Sequence, residues 1–426
     1  MFNFTAAYVF LLVILIASFV KIWLAIRQIK YVSHHRNTVP MAFKEKVSLK
    51  AHQLAADYTV ALTRLTTVEG LFSVFLLIML TWGGGIALID QLFLHRFGDS
   101  LIQQLLLILA ISGIAIIVSL PFEYIRHFVV EERFGFNKMT RKLFIFDQIK
   151  SGILGIMIGA PLLACILWLI NSAGQAWWFY AWIVWVVFNS VILIIYPTCI
   201  APMFNRFEPL NDHALKERIE GLLQRCGFIS KGLFIMDGSR RSSHGNAYFT
   251  GFGTAKRIVF FDTLIKNLNI DEIEAVLAHE LGHFKHKHIL KRLLSSFIIS
   301  FIFMALLGFL INQPWFYAAL NLNRSIAMPA NAAGGSAALA LLAFSFAIPY
   351  FTFILKPIAS LISRKHEFEA DSFAAKQVPA QKLIDALIKL YNENASTLTP
   401  DPIYTIFYYS HPPADQRIQH LTHQSL

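Results

Sequence analysis

The sequence predicts a mainly α, polytopic membrane protein with a small α+β domain on its cytoplasmic side. Three observations carry that prediction. Of 426 residues, 56% are hydrophobic and only 15% charged, with a mean hydropathy of +0.55, well away from the averages of soluble domains. Seven apolar stretches are each long enough to cross a hydrocarbon core of roughly 30 Å as a helix. Between the fifth and sixth lies one hydrophilic stretch in which the apolar residues pass from helical to strand-like spacing.

The spans are expected at Phe4 to Ile26, Leu71 to Ile89, Leu101 to Phe122, Ile153 to Ile170, Trp177 to Tyr196, Leu293 to Ile311 and Ala337 to Leu355. The first lacks a basic leader and a small-residue cleavage site, so it reads as a retained helix rather than a signal peptide. Loop charges orient the set, because Lys and Arg near helix ends stay in the cytoplasm. Arg27, Lys30, Arg36, Lys44, Lys46, Lys50 and Arg64 follow the first span, and Arg126, Arg133, Lys138, Arg141, Lys142 and Lys150 follow the third. The alternate loops carry only Arg96 and Arg324. The N-terminus is therefore expected outside, with the hydrophilic stretch and the C-terminal tail in the cytoplasm. The net charge of +11 is accounted for by those loops, and no nucleic-acid partner is expected. Cys165, Cys199 and Cys226 are odd in number and scattered, which implies no disulfide framework.

In the hydrophilic stretch, Leu215, Ile219, Leu222 and Leu223 give helical spacing over Asn211 to Cys226. Short strands are expected at Leu233 to Met236, Ala247 to Phe249 and Arg257 to Phe261, with Gly251-Phe252-Gly253 turning the chain between the last two. Asp271-Glu272-Ile273-Glu274 then resembles a capping box opening a helix. That helix carries His279-Glu280-Leu281-Gly282-His283. Two imidazoles one turn apart, with a carboxylate between them, are the pattern of a zinc-dependent peptidase. A catalytic zinc takes three protein ligands and one open position, so a third ligand is required.

Glu367-Phe368-Glu369-Ala370-Asp371 supplies it after the seventh span. On a helix Glu367 and Asp371 share a face, so Glu367 can bind the metal while Asp371 accepts the free N–H of a ligand histidine. Glu369 is the lesser alternative, having no acid one turn on. Glu280 takes the general-base role, removing a proton from the water that attacks the scissile carbonyl. His286 and His288, beside Lys285, Lys287, Lys291 and Arg292, read as a basic collar at the membrane surface. The expected organisation is spans one to five with their loops in 1–202, the zinc domain in 203–292, spans six and seven in 293–361, and a cytoplasmic segment completing the site in 362–426.

Longer segments carry a resemblance. Arg27-Gln28, Leu120-Pro121-Phe122, Glu131 to Asn137, Tyr196-Pro197 through Asn205, Ser243 to Phe249 and Tyr409-Ser410-His411-Pro412-Pro413, with the zinc motif and Glu367 to Asp371, resemble the type I CAAX prenyl endopeptidases. The resemblance implies a barrel of seven helices around a water-filled intramembrane chamber, with one zinc ion at its cytoplasmic end. It implies cleavage near the C-terminus of peptide or protein substrates, prenylated or not, within a lipid bilayer. By position Asn246 and Ala247 match the substrate-binding strand, His411 the residue flanking the reaction centre, where a histidine donor stabilises the oxyanion, and Arg417 its basic neighbour, grouped with the residues that meet substrate. Read from the residues alone, Asn246 equally shapes a turn, His411 ends a helix and Arg417 is a surface charge. The tail Thr422 to Leu426 lacks the dilysine of endoplasmic-reticulum members, which points to a bacterial inner-membrane relative. Competing functions are a quality-control peptidase with no prenyl requirement, an intramembrane site-two-type protease, and a non-hydrolytic transporter or lipid-binding scaffold. Lys285 and Lys287 beside the motif weigh against the second, and Glu280 against the third.

Overall fold

The computed structural model describes residues 2–250, 257–322 and 336–424. Its helices are α1 (Phe2–His35), α2 (Leu49–Leu80), α3 (Gly85–Phe97), α4 (Leu101–Ile125), α5 (Arg141–Ser172), α6 (Trp177–Ile195), α7 (His213–Arg225), α8 (Asp262–Asn267), α9 (Ile270–Lys285) and α10 (His288–Leu310). They continue as α11 (Pro314–Ala318), α12 (Ala337–Phe351), α13 (Lys356–Gln377), α14 (Ala380–Glu393), α15 (Pro402–Tyr408) and α16 (Ala414–His423). Among the described residues there are also four strands, β1 (Phe207–Pro209), β2 (Leu233–Met236), β3 (Ala247–Thr250) and β4 (Arg257–Phe261). The expected turn at Gly251-Phe252-Gly253, and Arg324, lie outside the described residues.

Among the described residues, seven helical spans are long and apolar enough to cross a bilayer: Thr5–His35, Leu49–Leu80, Leu101–Glu131, Arg141–Ser172, Gly174–Met203, His288–Leu310 and Ala337–Gln377. Each packs on the next, and α12 returns to α1, so the spans close into a ring. The chain is a multi-pass integral membrane protein built as a helical barrel.

One expected span is misplaced. Leu71 to Ile89 is not one helix: α2 begins at Leu49 and stops at Leu80, and α3 is separate from Gly85. The cause is the run Gly83-Gly84-Gly85, whose middle residue sits at φ +77°. That is left-handed backbone, which glycine alone adopts at little cost. Hydropathy reads through such a run because glycine is not polar. The lower half of α2 holds charges that composition assigned to a loop, and its two acids, Asp57 and Glu69, are paired. Arg36 Nε and Nη2 each lie 2.7 Å from the Asp57 carboxylate, and Arg126 Nη2 is 3.2 Å from Glu69. The seventh span continues through Pro349 and one turn at Thr352–Leu355 into α13. Glu367 is thus carried on the membrane helix itself.

The sheet has the order β1-β2-β4-β3. β2 runs parallel to β4, and β3 pairs antiparallel with β4 in the register Ala247↔Phe260. β3 is consequently an edge strand. β1 was not expected, being three residues long and ending in Pro209. Behind the sheet, Leu215, Ile219, Leu222 and Leu223 of α7 are all buried with Leu277, Leu281, Leu383 and Leu387 in one apolar core. The sheet is keyed to the barrel through His244, whose Nε2 is 3.5 Å from Glu131 and whose ring stacks on Phe136 at 4.8 Å.

Candidate metal centre

The capping box that opens α9 lies slightly earlier than expected: Asn269 is the cap and Glu272 its reciprocal partner. The helix therefore starts with both ends of the box satisfied and runs into the motif without a break. It crosses α13 at very short range. A Cβ on Gly282 would lie 2.8 Å from the Ala370 Cα, so only glycine fits between the two backbones. That approach sets His279 and His283 against Glu367.

The three expected ligand atoms converge. His279 Nε2 and His283 Nε2 are 3.3 Å apart, His279 Nε2 is 3.5 Å from Glu367 Oε2, and His283 Nε2 is 3.4 Å from Glu367 Oε1. Ligands at zinc distances of about 2.0–2.1 Å in a tetrahedron stand about 3.3 Å from one another. Glu367 Oε2 is buried and has no well-formed hydrogen bond among the described residues, although His411 Nδ1 is 2.8 Å away. An orphaned carboxylate oxygen facing two imidazole nitrogens fits a cation. Burial and the Arg417 charge push the His279 pKa down, but hydrogen bonds to Asp371 and Glu367 outweigh them and raise it to about 9. The cluster favours positive charge at its centre.

Each histidine is held from behind. His279 Nδ1 is 2.8 Å from Asp371 Oδ1, and because a carboxylate only accepts, the ring donates there and turns Nε2 inward. Asp371 is fully buried and is gripped on both oxygens by Arg417, with Nε 2.9 Å from Oδ2 and Nη2 2.5 Å from Oδ1. Arg417 is itself buried, not a surface charge. On the other side, His283 Nδ1 lies 3.0 Å from His288 Nδ1, and His288 Nε2 lies 2.8 Å from Glu369 Oε2. The same logic runs along this chain: Glu369 accepts from His288, whose Nδ1 then accepts from His283.

His288 is 1% exposed and is no part of a surface collar, whereas His286 is exposed. Sequence reading missed this relay. The turn that creates it places Lys287 at φ +56°, which folds α10 back so that His288 returns over His283. His286, His288 and Glu369 form a second group close enough to hold a metal, but both His288 nitrogens already have partners.

The remaining expected residues gather nearby. His411 is exposed and reaches Glu367 as described. It is brought there by a tail tied down at two points. Arg27 Nη2 is 2.9 Å from Asp401 Oδ2 while Gln28 accepts from the Asp401 amide at 2.8 Å, and Arg364 donates to the Thr405 and Tyr409 carbonyls. Asn246 is exposed at the start of β3, Ala247 is buried beneath it, and β3 packs against α9. Glu280 is half-buried on α9 between the two histidines.

Comparison with known proteins now decides the family. Residues 209–425 match the profile of peptidase family M48, and residues 28–206 match that of the CAAX prenyl protease N-terminal region with five membrane helices. The chain belongs to peptidase family M48. Among M48 relatives, CAAX prenyl protease 1 of Saccharomyces cerevisiae is 37% identical over 352 residues, covering 81% of this chain and 78% of that protein. The human CAAX prenyl protease 1 homolog is 32% identical, covering 75% and 73%. The crystal structure of S. mikatae Ste24p superposes with a TM-score of 0.89 at 32% identity, over 99% of both chains. This M48 chain is a membrane metallopeptidase.

Proposed function

We propose that the protein is a zinc endopeptidase that hydrolyses peptide bonds near the C-terminus of CAAX-type substrates. The observation that carries the reading is the triangle of His279, His283 and Glu367 donor atoms, 3.3 to 3.5 Å on a side, which matches one tetrahedral zinc ion per chain. A zinc ion held there supplies Lewis acidity that polarises a carbonyl and acidifies water. Glu280 accepts the proton of the attacking water and returns it to the leaving amine. Asp371 fixes the tautomer of His279, and Arg417, expected to meet substrate, has its guanidinium engaged by Asp371. We assign it to holding that carboxylate.

His411, expected to stabilise the oxyanion, is close enough to do so and can exchange its contact with Glu367 for one with substrate. The exposed edge of β3 from Asn246 and Ala247 accepts an extended peptide as one more strand. Loop charges support an external N-terminus and a cytoplasmic site. The relatives named above are eukaryotic, which draws the reading toward the endoplasmic reticulum and away from a bacterial inner membrane.

The test is mass spectrometry of the purified protein with matched farnesylated and unmodified CAAX peptides, with and without a chelator. We expect cleavage that the chelator stops, and one zinc per chain that His279→Ala, His283→Ala and Glu367→Ala each lose. Equal turnover of both peptides would assign a quality-control peptidase with no prenyl requirement. Bound zinc with no cleavage of any peptide would overturn the enzyme reading.

A further inference from the structure

Away from the metal, the barrel encloses a cavity of about 580 Å³ whose wall includes Ser18, Lys21, Tyr350, Lys356, Tyr404 and Tyr408. Lys21 is the only charged side chain from Phe2 to Ile26, and it is half-buried. Its ammonium lies 4.9 Å from the centre of the Tyr350 ring and 5.2 Å from that of Phe353. Lys356, itself exposed, lies 5.7 Å from the centre of the Phe353 ring and 5.1 Å from that of Tyr408. Among the described residues neither lysine has a carboxylate partner. The one acid in the wall, Glu69, is engaged by Arg126 at 3.2 Å. Next to Lys21, the buried Ser18 hydroxyl has no hydrogen-bond partner among the described residues.

Ionisable groups inside a membrane are costly and ordinarily pair with an opposite charge, and aromatic faces alone offset only part of that cost. Two ammoniums and a free hydroxyl around one cavity therefore call for an anion. A second cavity shares Thr63, Thr66, Tyr404 and Tyr408 with this one and is lined by His411 and Arg417 of the metal centre. The two cavities therefore adjoin, and a peptide reaching past His411 and Arg417 has room to extend into the space that the lysines face. On the peptidase reading above, that is the C-terminal piece of the substrate, which ends in a carboxylate. We propose that Ser18, Lys21 and Lys356 form a subsite for the free C-terminal carboxylate of the peptide. It would hold the end of the chain before cleavage and the released fragment after it.

The test compares one peptide as its free acid and as its C-terminal amide, measuring equilibrium binding to the zinc-loaded protein by fluorescence anisotropy and cleavage in parallel. The acid should bind about 10-fold more tightly, as expected of a charge-assisted contact in a partly desolvated site. Lys21→Met and Lys356→Met should each remove much of that preference while leaving zinc content and amide binding unchanged, and Lys21→Arg should preserve it. Equal affinity for acid and amide in the unsubstituted protein, or a preference that survives Lys21→Met with Lys356→Met, would overturn the subsite. So would loss of a co-purified anionic phospholipid from the variants with an unaltered acid-to-amide ratio, which would make this a headgroup site. A preference that the lysines control in a protein that cleaves neither peptide would sink the peptidase reading and leave the subsite standing.

Discussion

Glu280 and the proposed ligand triad could be picked out in the sequence because i, i+4 spacing on a helix decides which side chains share a face. Glu280→Gln keeps the shape of the side chain but cannot take up a proton at neutral pH. It should abolish hydrolysis while metal analysis still finds one zinc per chain, and substantial turnover would remove Glu280 from the base role. His288 was not legible, since its place depends on the left-handed backbone at Lys287 and not on any spacing. Its loss frees the outer nitrogen of His283, so His288→Ala should lower zinc affinity by about 10- to 100-fold in a chelator competition. His288→Asn, whose amide oxygen can still accept, should recover part of the loss. Unchanged affinity in His288→Ala would show that the relay is incidental. Arg417 was placed at the site only by resemblance, and its partner was not legible: a basic residue on a short helix looks solvated until the carboxylate it grips is known.

At the scale of elements, the centre depends on how closely α9 and α13 cross. Gly282→Ala would bring a methyl group to 2.8 Å from the Ala370 Cα, against backbone that cannot rotate away. The helices must part by several tenths of an ångström, and ligand geometry is intolerant of that. We expect weaker zinc binding, by about 10-fold or more, and a lower Tm, because overpacking costs about 1–3 kcal/mol. Zinc affinity and Tm equal to the unsubstituted protein would mean the crossing has slack. Strand and helix assignments around the site were readable from periodicity. The break at Gly83 to Gly85 and the three-residue β1 were not, because the first is decided by backbone freedom and the second by what it pairs with.

For the whole molecule, apolar length announced the number of spans but not their closure, since one lipid-facing helix resembles another in composition. Closure is visible only in the long-range ties, and the motif segments that looked arbitrary in sequence are those ties. Arg27-Gln28 holds Asp401, and Glu131 meets His244. Asp401 also caps α15 through the Ile403 and Tyr404 amides, so Asp401→Ala removes both the cap and the ion pair. The cap alone is worth about 1 kcal/mol, and the tail that presents His411 loses its anchor. Cleavage should fall by about 10- to 100-fold, the usual consequence of a small misplacement, with zinc content unchanged. Normal turnover in this variant would show that the tail is positioned by other contacts.

The crossing of α9 over α13 has a consequence for how the protein comes into being. His279 and His283 are made before the sixth and seventh spans, and Glu367 only near the end of the seventh. A ribosome that has just released the histidine pair has produced two of the three proposed ligands, and the third emerges only after the sixth span and most of the seventh have been made. With the ligand set proposed above, peptidase activity is withheld during biogenesis. The nascent chain cannot cut itself or its neighbours at the translocon, and metal uptake becomes a late checkpoint on correct insertion.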